Sequence, residues 1–433
     1  MNYKATIDYL YHALPMYQRQ GPVAMKPGLD RTITLCSELG NPHQNFDSIH
    51  IAGTNGKGSS CHMLASICQA AGYKTGLYTS PHLNTFRERI RINGAMISEE
   101  EVVDFVSEHR KVIQRIKPSF FEITVAMAFN HFAKHTVDIA VIEVGLGGRL
   151  DSTNIINPLV SLITNIGFDH MNFLGSSLSE IAREKAGIIK PGIPVVISEY
   201  QDQTIEVFSQ IARANHADIL IADQEFTIEH ASSERYNVYQ NEKCAYEGLN
   251  LDLKGAFQLK NLKGVLGTID KLREKGIHFA DSQIVDGIGQ VGHTGISGRF
   301  ETLAYQPMII CDTGHNPDGM KTILSELAGI SFNRLWMIIG LSQDKDLEKF
   351  LSFFPEEAYY LFCQSNIPRA MPSDALFRTA LEHGLTGEDA SEVNKALDAA
   401  LRRASKDDLI FIGGSTFIIA ELNRDILMTS KDK

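Results

Sequence analysis

Between Ser48 and Ser198, short apolar runs alternate with longer stretches of helical periodicity; the runs are SIHIAG, TGLYTS, DIAVIEVG, LVSLITNIG and PVVIS. Strands separated in this way by helices predict parallel βαβ units. The runs lack strict apolar/polar alternation, as expected for strands covered on both faces. From about Ala222 to Leu253 the pattern changes to polar, alternating segments such as RYNVYQ and LNLDLKG, which predicts a small β insertion. A second series then begins. PMIICDTGHN, RLWMIIGLSQDKD, AYYLFCQS and DLIFIGGST read as buried strands running into glycine-containing loops, with helical stretches such as ASEVNKALDAALRRA between them. The Gly-rich segment QVGHTGISGRF, from Gln290 to Phe300, separates the two series and is taken as the interdomain hinge. Two α/β domains are expected, over residues 1–296 and 297–433.

Composition narrows this picture. At 433 residues the chain exceeds what one hydrophobic core comfortably supports. Its 43% apolar and 21% charged residues are those of a globular protein and exclude a disordered or collagen-like chain. The net charge of −11 opposes a broad grip on a phosphate backbone, so no nucleic-acid partner is expected. A local basic pocket for a small anion remains compatible with it. The six cysteines form no CxxC pair and no His/Cys cluster, and are read as free thiols. The N-terminal MNYKATIDYLYHALPMYQRQ is amphipathic and unlike a signal peptide, and no apolar run approaches the roughly 20 residues that span a bilayer. The expectation is a cytoplasmic monomer without a membrane partner.

The candidate chemistry starts after the strand SIHIA, with Gly53-Thr54-Asn55-Gly56-Lys57-Gly58-Ser59-Ser60 and then the helix-compatible CHMLASICQAAG. Glycines let backbone N–H groups turn around a phosphate, the helix N-terminus favours negative charge, and Lys57 supplies a cation. The spacing departs from the generic phosphate loop because Gly58 intervenes before the serine and the first gap is shorter. A glycine-rich turn without a ligand is the alternative.

Ligands of open parallel sheets sit beyond the carboxyl ends of the strands. TGLYT leads into Ser80-Pro81-His82-Leu83, IAVI ends in Glu143, and LITNIG runs into Asp169-His170, so each polar group falls at the same end as the glycine loop. Together with nucleotide phosphates they suit Mg²⁺, although histidine is a less usual partner for it. Singly, Ser80 reads equally as a cap, Glu143 as half of an ion pair and His170 as a core imidazole. Ser177-Leu178-Ser179-Glu180 is a capping-box pattern that opens a helix. Lys185 shares its apolar stripe with Leu178, Ile181 and Ala182, which should desolvate the ammonium and lower its pKa. A neutral amine there can capture CO₂ as a carbamate; an ion pair with a nearby carboxylate is the alternative.

Longer motifs carry a resemblance. PGLDR at Pro27 to Arg31, HIAGTNGKGSS, TSPHLNTFRERIRING, FFEITVAMAF, VIEVGLGGRLDSTN, TNIGFDHMNFLG, IAREKAGIIKPG, GRF at Gly298, CDTGHNPDG and GGSTF at Gly413 occur in this order. Over nearly its whole length the chain resembles the folylpolyglutamate synthase and dihydrofolate synthase group of Mur ligases. The resemblance implies a P-loop-type ATPase domain built on a parallel sheet with a small β insertion, followed by a smaller Rossmann-like α/β domain that binds glutamate. It implies two Mg²⁺ ions and ATP, with dihydropteroate or folates and L-glutamate as the other substrates. Gly53, Thr54, Asn55, Gly56, Lys57, Gly58 and Ser59 would hold ATP, with Asn261, Arg299 and Asp312. Ser80, Glu143 and His170 would bind Mg²⁺, and a carbamylated Lys185 would support the second ion. Arg87 and Glu122 would meet the pterin-bearing substrate, and His315 and Ser415 the incoming glutamate. Lys57, His170, Lys185 and His315 would form the catalytic set. Two positions depart from the family pattern: Thr313 stands where alanine is common, and Phe257-Gln258 where His-Gln is common. Rival readings are a related amide ligase acting on a nucleotide-linked muropeptide, and a P-loop kinase or regulatory nucleotide-binding module.

Overall fold

The computed structural model describes residues 1–15, 28–232, 234–343 and 347–426. Pro27 of the PGLDR motif, the end of the amphipathic N-terminal segment, and residues 344–346 of the RLWMIIGLSQDKD run lie outside the described residues. Two compact units divide between Ile296 and Ser297.

The first unit is organised around an eight-stranded sheet. Its strands are β1 (Asp47–Ala52), β2 (Thr75–Tyr78), β3 (Ile90–Ile92), β4 (Ala95–Met96), β5 (Ile139–Glu143), β6 (Val160–Ile163), β7 (Val195–Ile197) and β8 (Ile219–Ile221), in the order β4-β3-β2-β5-β1-β6-β7-β8. β2, β5, β1, β6, β7 and β8 are parallel. The expectation of a parallel sheet needs one correction, because β3 and β4 form an antiparallel hairpin at its edge. Its turn is Asn93-Gly94, with φ of 48° and 79°, the left-handed pair that a two-residue hairpin demands.

Burial on both faces explains why these strands lack polar positions. In β5, Ile139 and Val141 join the core that holds Cys61, Leu64 and Val265, while Ala140 and Ile142 join the opposite core with Val125, Phe129 and Phe132. In β6, Val160 and Leu162 face the first of these cores, whereas Ile163 enters a third one around Ile181 and Phe208. Successive side chains therefore serve different layers, as the two-residue strand period requires. The polar alternating segment forms an antiparallel three-stranded sheet of β9 (Phe226–Ser232), β10 (Arg235–Gln240) and β11 (Lys243–Asn250).

The second unit has a six-stranded sheet of β12 (Glu301–Tyr305), β13 (Met308–Cys311), β14 (Leu335–Ile339), β15 (Tyr359–Gln364), β16 (Thr386–Glu392) and β17 (Leu409–Gly413), in the order β12-β13-β17-β14-β15-β16. All neighbours are parallel except β12 against β13. The stretch ASEVNKALDAALRRA divides, its first three residues ending β16 and its helix running over Val393–Arg403. All six cysteines are free thiols, and five are buried. Among the described residues no helix is long and apolar enough to cross a membrane.

Candidate active site

β1 runs directly into the glycine loop, and the helix Lys57–Ala70 follows with Gly56 at its N-cap in a left-handed conformation. Two glycines are there for close approach. A Cβ on Gly53 would lie 1.8 Å from Thr164 Oγ1, and one on Gly56 2.1 Å from Asn261 Oδ1. The helix Phe257–Glu274 brings Asn261 to this point, where its Nδ2 donates to Gln258 Oε1 and Gln258 Nε2 donates to Ser59 Oγ.

The glycine loop is fastened to the loop that follows β6. Thr54 N–H donates to Asn165 O at 2.9 Å, Asn55 N–H to Asn165 Oδ1 at 2.8 Å, and Thr164 Oγ1–H to Asn55 O at 2.6 Å. Gly167 N–H donates to Thr54 Oγ1 at 3.0 Å. Thr164 and Asn165 were not singled out from the sequence. Their signal was available, since Thr-Asn stands at the end of the strand next to β1.

On the other side of β1, Glu143 is the last residue of β5 and lies opposite Ile51. Its carboxylate is buried and accepts the Ser80 N–H at 2.9 Å, tying the loop after β2 to the end of β5. Asp151, also unflagged by the sequence, accepts from Leu146 N–H, Thr153 N–H and Thr153 Oγ1–H, and burial raises its pKa against these bonds. Thr153 Oγ1 in turn meets His50 Nε2 of β1 at 2.9 Å. Because Thr153 gives its hydrogen to Asp151, it accepts from His50.

Lysine 185 ends the helix Leu178–Lys185, whose start is the expected capping box of Ser177 and Glu180. Ile181, Ala182 and Lys185 are buried, and Leu178 is partly so. The Lys185 ammonium donates to Gly53 O at 2.8 Å, the same carbonyl that Lys57 Nζ reaches at 3.1 Å; Lys57 also donates to Thr54 O at 3.1 Å. Burial first, and the Lys57 charge second, lower the Lys185 pKa to about 7, with Asp169 and Asp151 opposing. His170 has a left-handed backbone, φ 50°, at the head of the short helix Met171–Leu174. Its Nε2 lies 3.8 Å from Asp169 Oδ2.

Two expected substrate residues carry local structure. Glu122 Oε2 accepts the Ser119 N–H at 2.5 Å to cap the helix Phe120–Lys134, and Oε1 pairs with Arg31 Nε at 3.0 Å. Arg87 Nε donates to Ile97 O at 2.6 Å. His82, in the loop after Ser80, accepts from Arg89 Nε at Nδ1 and therefore donates from Nε2 to Tyr11 Oη.

Within the second unit, Asp312 follows β13. Its carboxylate accepts Phe300 N–H at 2.7 Å and Gly314 N–H at 2.6 Å, and burial raises its pKa while the Arg299 charge opposes. Arg299 Nη1 donates to Thr313 Oγ1 at 2.5 Å, so Thr313, the departure from alanine, engages the arginine. His315 Nδ1 lies 3.1 Å from Thr313 O, which makes Nδ1 the protonated nitrogen. Ser415, two residues beyond β17, caps the helix Thr416–Ala420 by accepting the Phe417 N–H. Because β13 and β17 are parallel neighbours, Asp312, His315 and Ser415 belong to one edge of that sheet.

The Mur ligase middle domain matches residues 51–269, and the Mur ligase glutamate ligase domain matches residues 298–416. The chain is 32% identical to the dihydrofolate synthase/folylpolyglutamate synthase of Bacillus subtilis over 92% of this chain and 95% of that protein. The solved structure of E. coli FolC in complex with DHPP and ADP superposes with a TM-score of 0.87 at 27% identity, covering 100% of this chain and 99% of the other. The bifunctional folylpolyglutamate synthase/dihydrofolate synthase from Yersinia pestis, complexed with AMPPNP and Mn ion, gives a TM-score of 0.85 at 27% identity and covers 100% and 98%. With a middle domain and a glutamate ligase domain in sequence, the protein is an enzyme, an ATP-dependent, glutamate-adding ligase, and it belongs to the folylpolyglutamate synthase and dihydrofolate synthase group of the Mur ligase family.

Proposed function

We propose that the enzyme joins L-glutamate to the carboxylate of dihydropteroate and of folyl(poly)glutamates, releasing ADP and phosphate. The observation that carries this reading is the edge of the first sheet, where Lys57, Ser80 and Glu143 stand at the ends of the neighbouring strands β1, β2 and β5 and Lys185 reaches the glycine loop from a flanking helix. The relatives from Bacillus subtilis and Escherichia coli carry both synthase activities in their names, and one solved relative holds Mn, AMPPNP and L-glutamate.

The substrate's carboxylate oxygen attacks the γ-phosphorus of ATP, and ADP leaves. No protein nucleophile is required, only placement and charge neutralisation. Backbone N–H groups at the N-terminus of the helix Lys57–Ala70 and the Lys57 ammonium counter the phosphate charge. The glutamate amine then attacks the carbonyl carbon of the acyl phosphate; phosphate departs with the bonding pair, the amine loses a proton, and an amide remains. His315, whose Nδ1–H is held by Thr313 O, is assigned to orient that amine. Ser415 is assigned to glutamate, Arg299, Asp312 and Asn261 to ATP, and Arg87 and Glu122 to the pterin-bearing substrate.

The donor set fits Mg²⁺. Ser80 Oγ and the buried Glu143 carboxylate are oxygen donors on two residues tied by the Ser80 backbone N–H to Glu143 Oε2, with His170 as a nitrogen donor. Lys185 as an ammonium would repel a cation, but its depressed basicity suits conversion to a carbamate, which brings two oxygens and reverses the charge. When bound, the two ions would neutralise charge on the phosphate oxygens. The reading as a cytoplasmic monomer without a nucleic-acid partner accompanies this assignment.

Phosphate release is the decisive assay. It should require ATP, glutamate and a pterin acid together, with both dihydropteroate and a folylglutamate accepted. ADP formation without free phosphate, independent of glutamate, would favour a kinase, and acceptance of a nucleotide-linked muropeptide would favour the other ligase branch. Carbon-13 labelling with CO₂ should give a carbamate signal that Lys185→Ala removes along with turnover; an active, unlabelled enzyme would refute the carbamate.

A further inference from the structure

The helix Glu99–Glu108 begins with a capping box in which Glu101 holds Ser98. The two oxygens of Glu101 divide the work. Oε2 serves the cap, accepting from Ser98 Oγ–H at 2.8 Å and from Ser98 N–H at 3.3 Å. Oε1 faces two imidazoles, His135 Nε2 at 2.5 Å and His131 Nδ1 at 3.4 Å. His131 lies in the helix Phe120–Lys134 and His135 is its C-cap residue, four positions on, so both rings project from one face with centroids 4.5 Å apart. Paired histidines at this spacing with a carboxylate from a neighbouring element are the donor set that zinc-class cations take.

We propose that Glu101, His131 and His135 form a binding site for a borderline divalent cation of the zinc class, separate from the ligase machinery. The three ligand atoms all lie within 4.8 Å of one another. Tetrahedral zinc, with bonds of about 2.0–2.1 Å, needs ligand atoms about 3.3 Å apart. The Glu101–His131 separation of 3.4 Å already meets this, and the Glu101–His135 separation of 2.5 Å has to widen by ~0.8 Å. A neutral imidazole has one bare nitrogen, so binding through His131 Nδ1 and His135 Nε2 requires only that each hydrogen sit on the other ring nitrogen. Burial, opposed by the Glu101 charge, keeps the His131 pKa down at about 4, so its ring is neutral at physiological pH. The cap fixes the carboxylate without consuming Oε1, which limits the entropy lost on binding. Asp104 and Glu108 line a shallow cleft together with Glu101, His131 and Lys134, leaving the surroundings net negative and able to attract a cation.

The test titrates Zn²⁺ and, as a spectroscopic probe, Co²⁺ into the full-length enzyme with Mg²⁺ in excess. Wild type should bind one equivalent that His135→Ala and Glu101→Gln weaken at least tenfold. His135 is half-exposed, and glutamine preserves the capping pattern, so both variants should fold, which circular dichroism checks. Co²⁺ should give the intense visible absorption of a four-coordinate site in wild type and lose it in both variants, while ligase turnover stays unchanged. Equal Zn²⁺ titrations in all three proteins, or binding abolished only by Glu143→Gln, would overturn the proposal.

Discussion

At the loop end of the first sheet, the pairs Ser80–Glu143, Asn55–Asn165 and Lys185–Gly53 are 63, 110 and 132 residues apart. At the corresponding edge of the second sheet, Asp312 is held by Phe300 and Gly314, His315 by Thr313, and Ser415 by Phe417, partners 2 to 12 residues apart. Both are carboxyl ends of parallel strands. The first set of groups is positioned only once the whole sheet has assembled, whereas the second is positioned by turns and caps that form with their own segments. Charge handling at the first edge is therefore a tertiary property, and damage there should appear as lost function more than as lost local structure.

Breaking the first edge at Lys57 should have the largest effect. Lys57→Ala is expected to lower turnover by about 10²–10³-fold, the usual consequence of removing one group that stabilises transition-state charge. Thermal unfolding should be nearly unchanged, and steady-state kinetics beside calorimetry check both. The next effect is a pH dependence that sets His50 against Asp312. His50 under the glycine loop has its pKa lowered to about 3, by burial first and the Lys190 charge second. Below about pH 6.5 the unfolded chain takes a proton that folded His50 refuses, so stability should fall by ~1.4 kcal/mol per pH unit until about pH 3. Asp312, whose folded pKa is raised by burial, works in the opposite direction, because the folded carboxyl binds its proton before the unfolded one does. Urea unfolding of His50→Gln at pH 7 and pH 5 should show a weaker acid dependence than wild type.

Two smaller changes sharpen the contrast. Asn165→Ala removes the side-chain acceptor of the Asn55 N–H and should cost about 1–3 kcal/mol of stability, with a raised KM for ATP. Ser415→Ala removes a helix cap and should cost about 1 kcal/mol, raising the KM for glutamate while leaving that for ATP alone. Equal effects of both variants on the two KM values would erase the distinction between the edges.

The runs that became β1, β2, β5, β6 and β7 were visible because strands buried on both faces are written as continuous apolar stretches, and those of β13, β14, β15 and β17 for the same reason. The β3–β4 hairpin and β16 were hidden, since short or solvent-facing strands such as TGEDASE carry little apolar signal. Lys185 could be placed on a buried stripe from helical spacing alone. That its partner is Gly53 O could not, because the pairing depends on how β1 and β6 lie side by side. The partners of Thr164 and Asn165 in the glycine loop were hidden for the same reason, being about 110 residues away, whereas Asp151 is held by Leu146 and Thr153 of its own segment.

The alternation of β5 between two cores has a consequence for how this enzyme can fail. Glu143 ends the same strand whose Ile139 and Val141 fill one layer while Ala140 and Ile142 fill the other. A slip of one residue would exchange the contents of both layers and turn the carboxylate to the opposite side of the sheet. Misassembly and inactivity are thus a single event here. A chain population that passes inspection by its packing has, by the same token, its acid group on the correct side, so folding quality control also screens for catalytic competence.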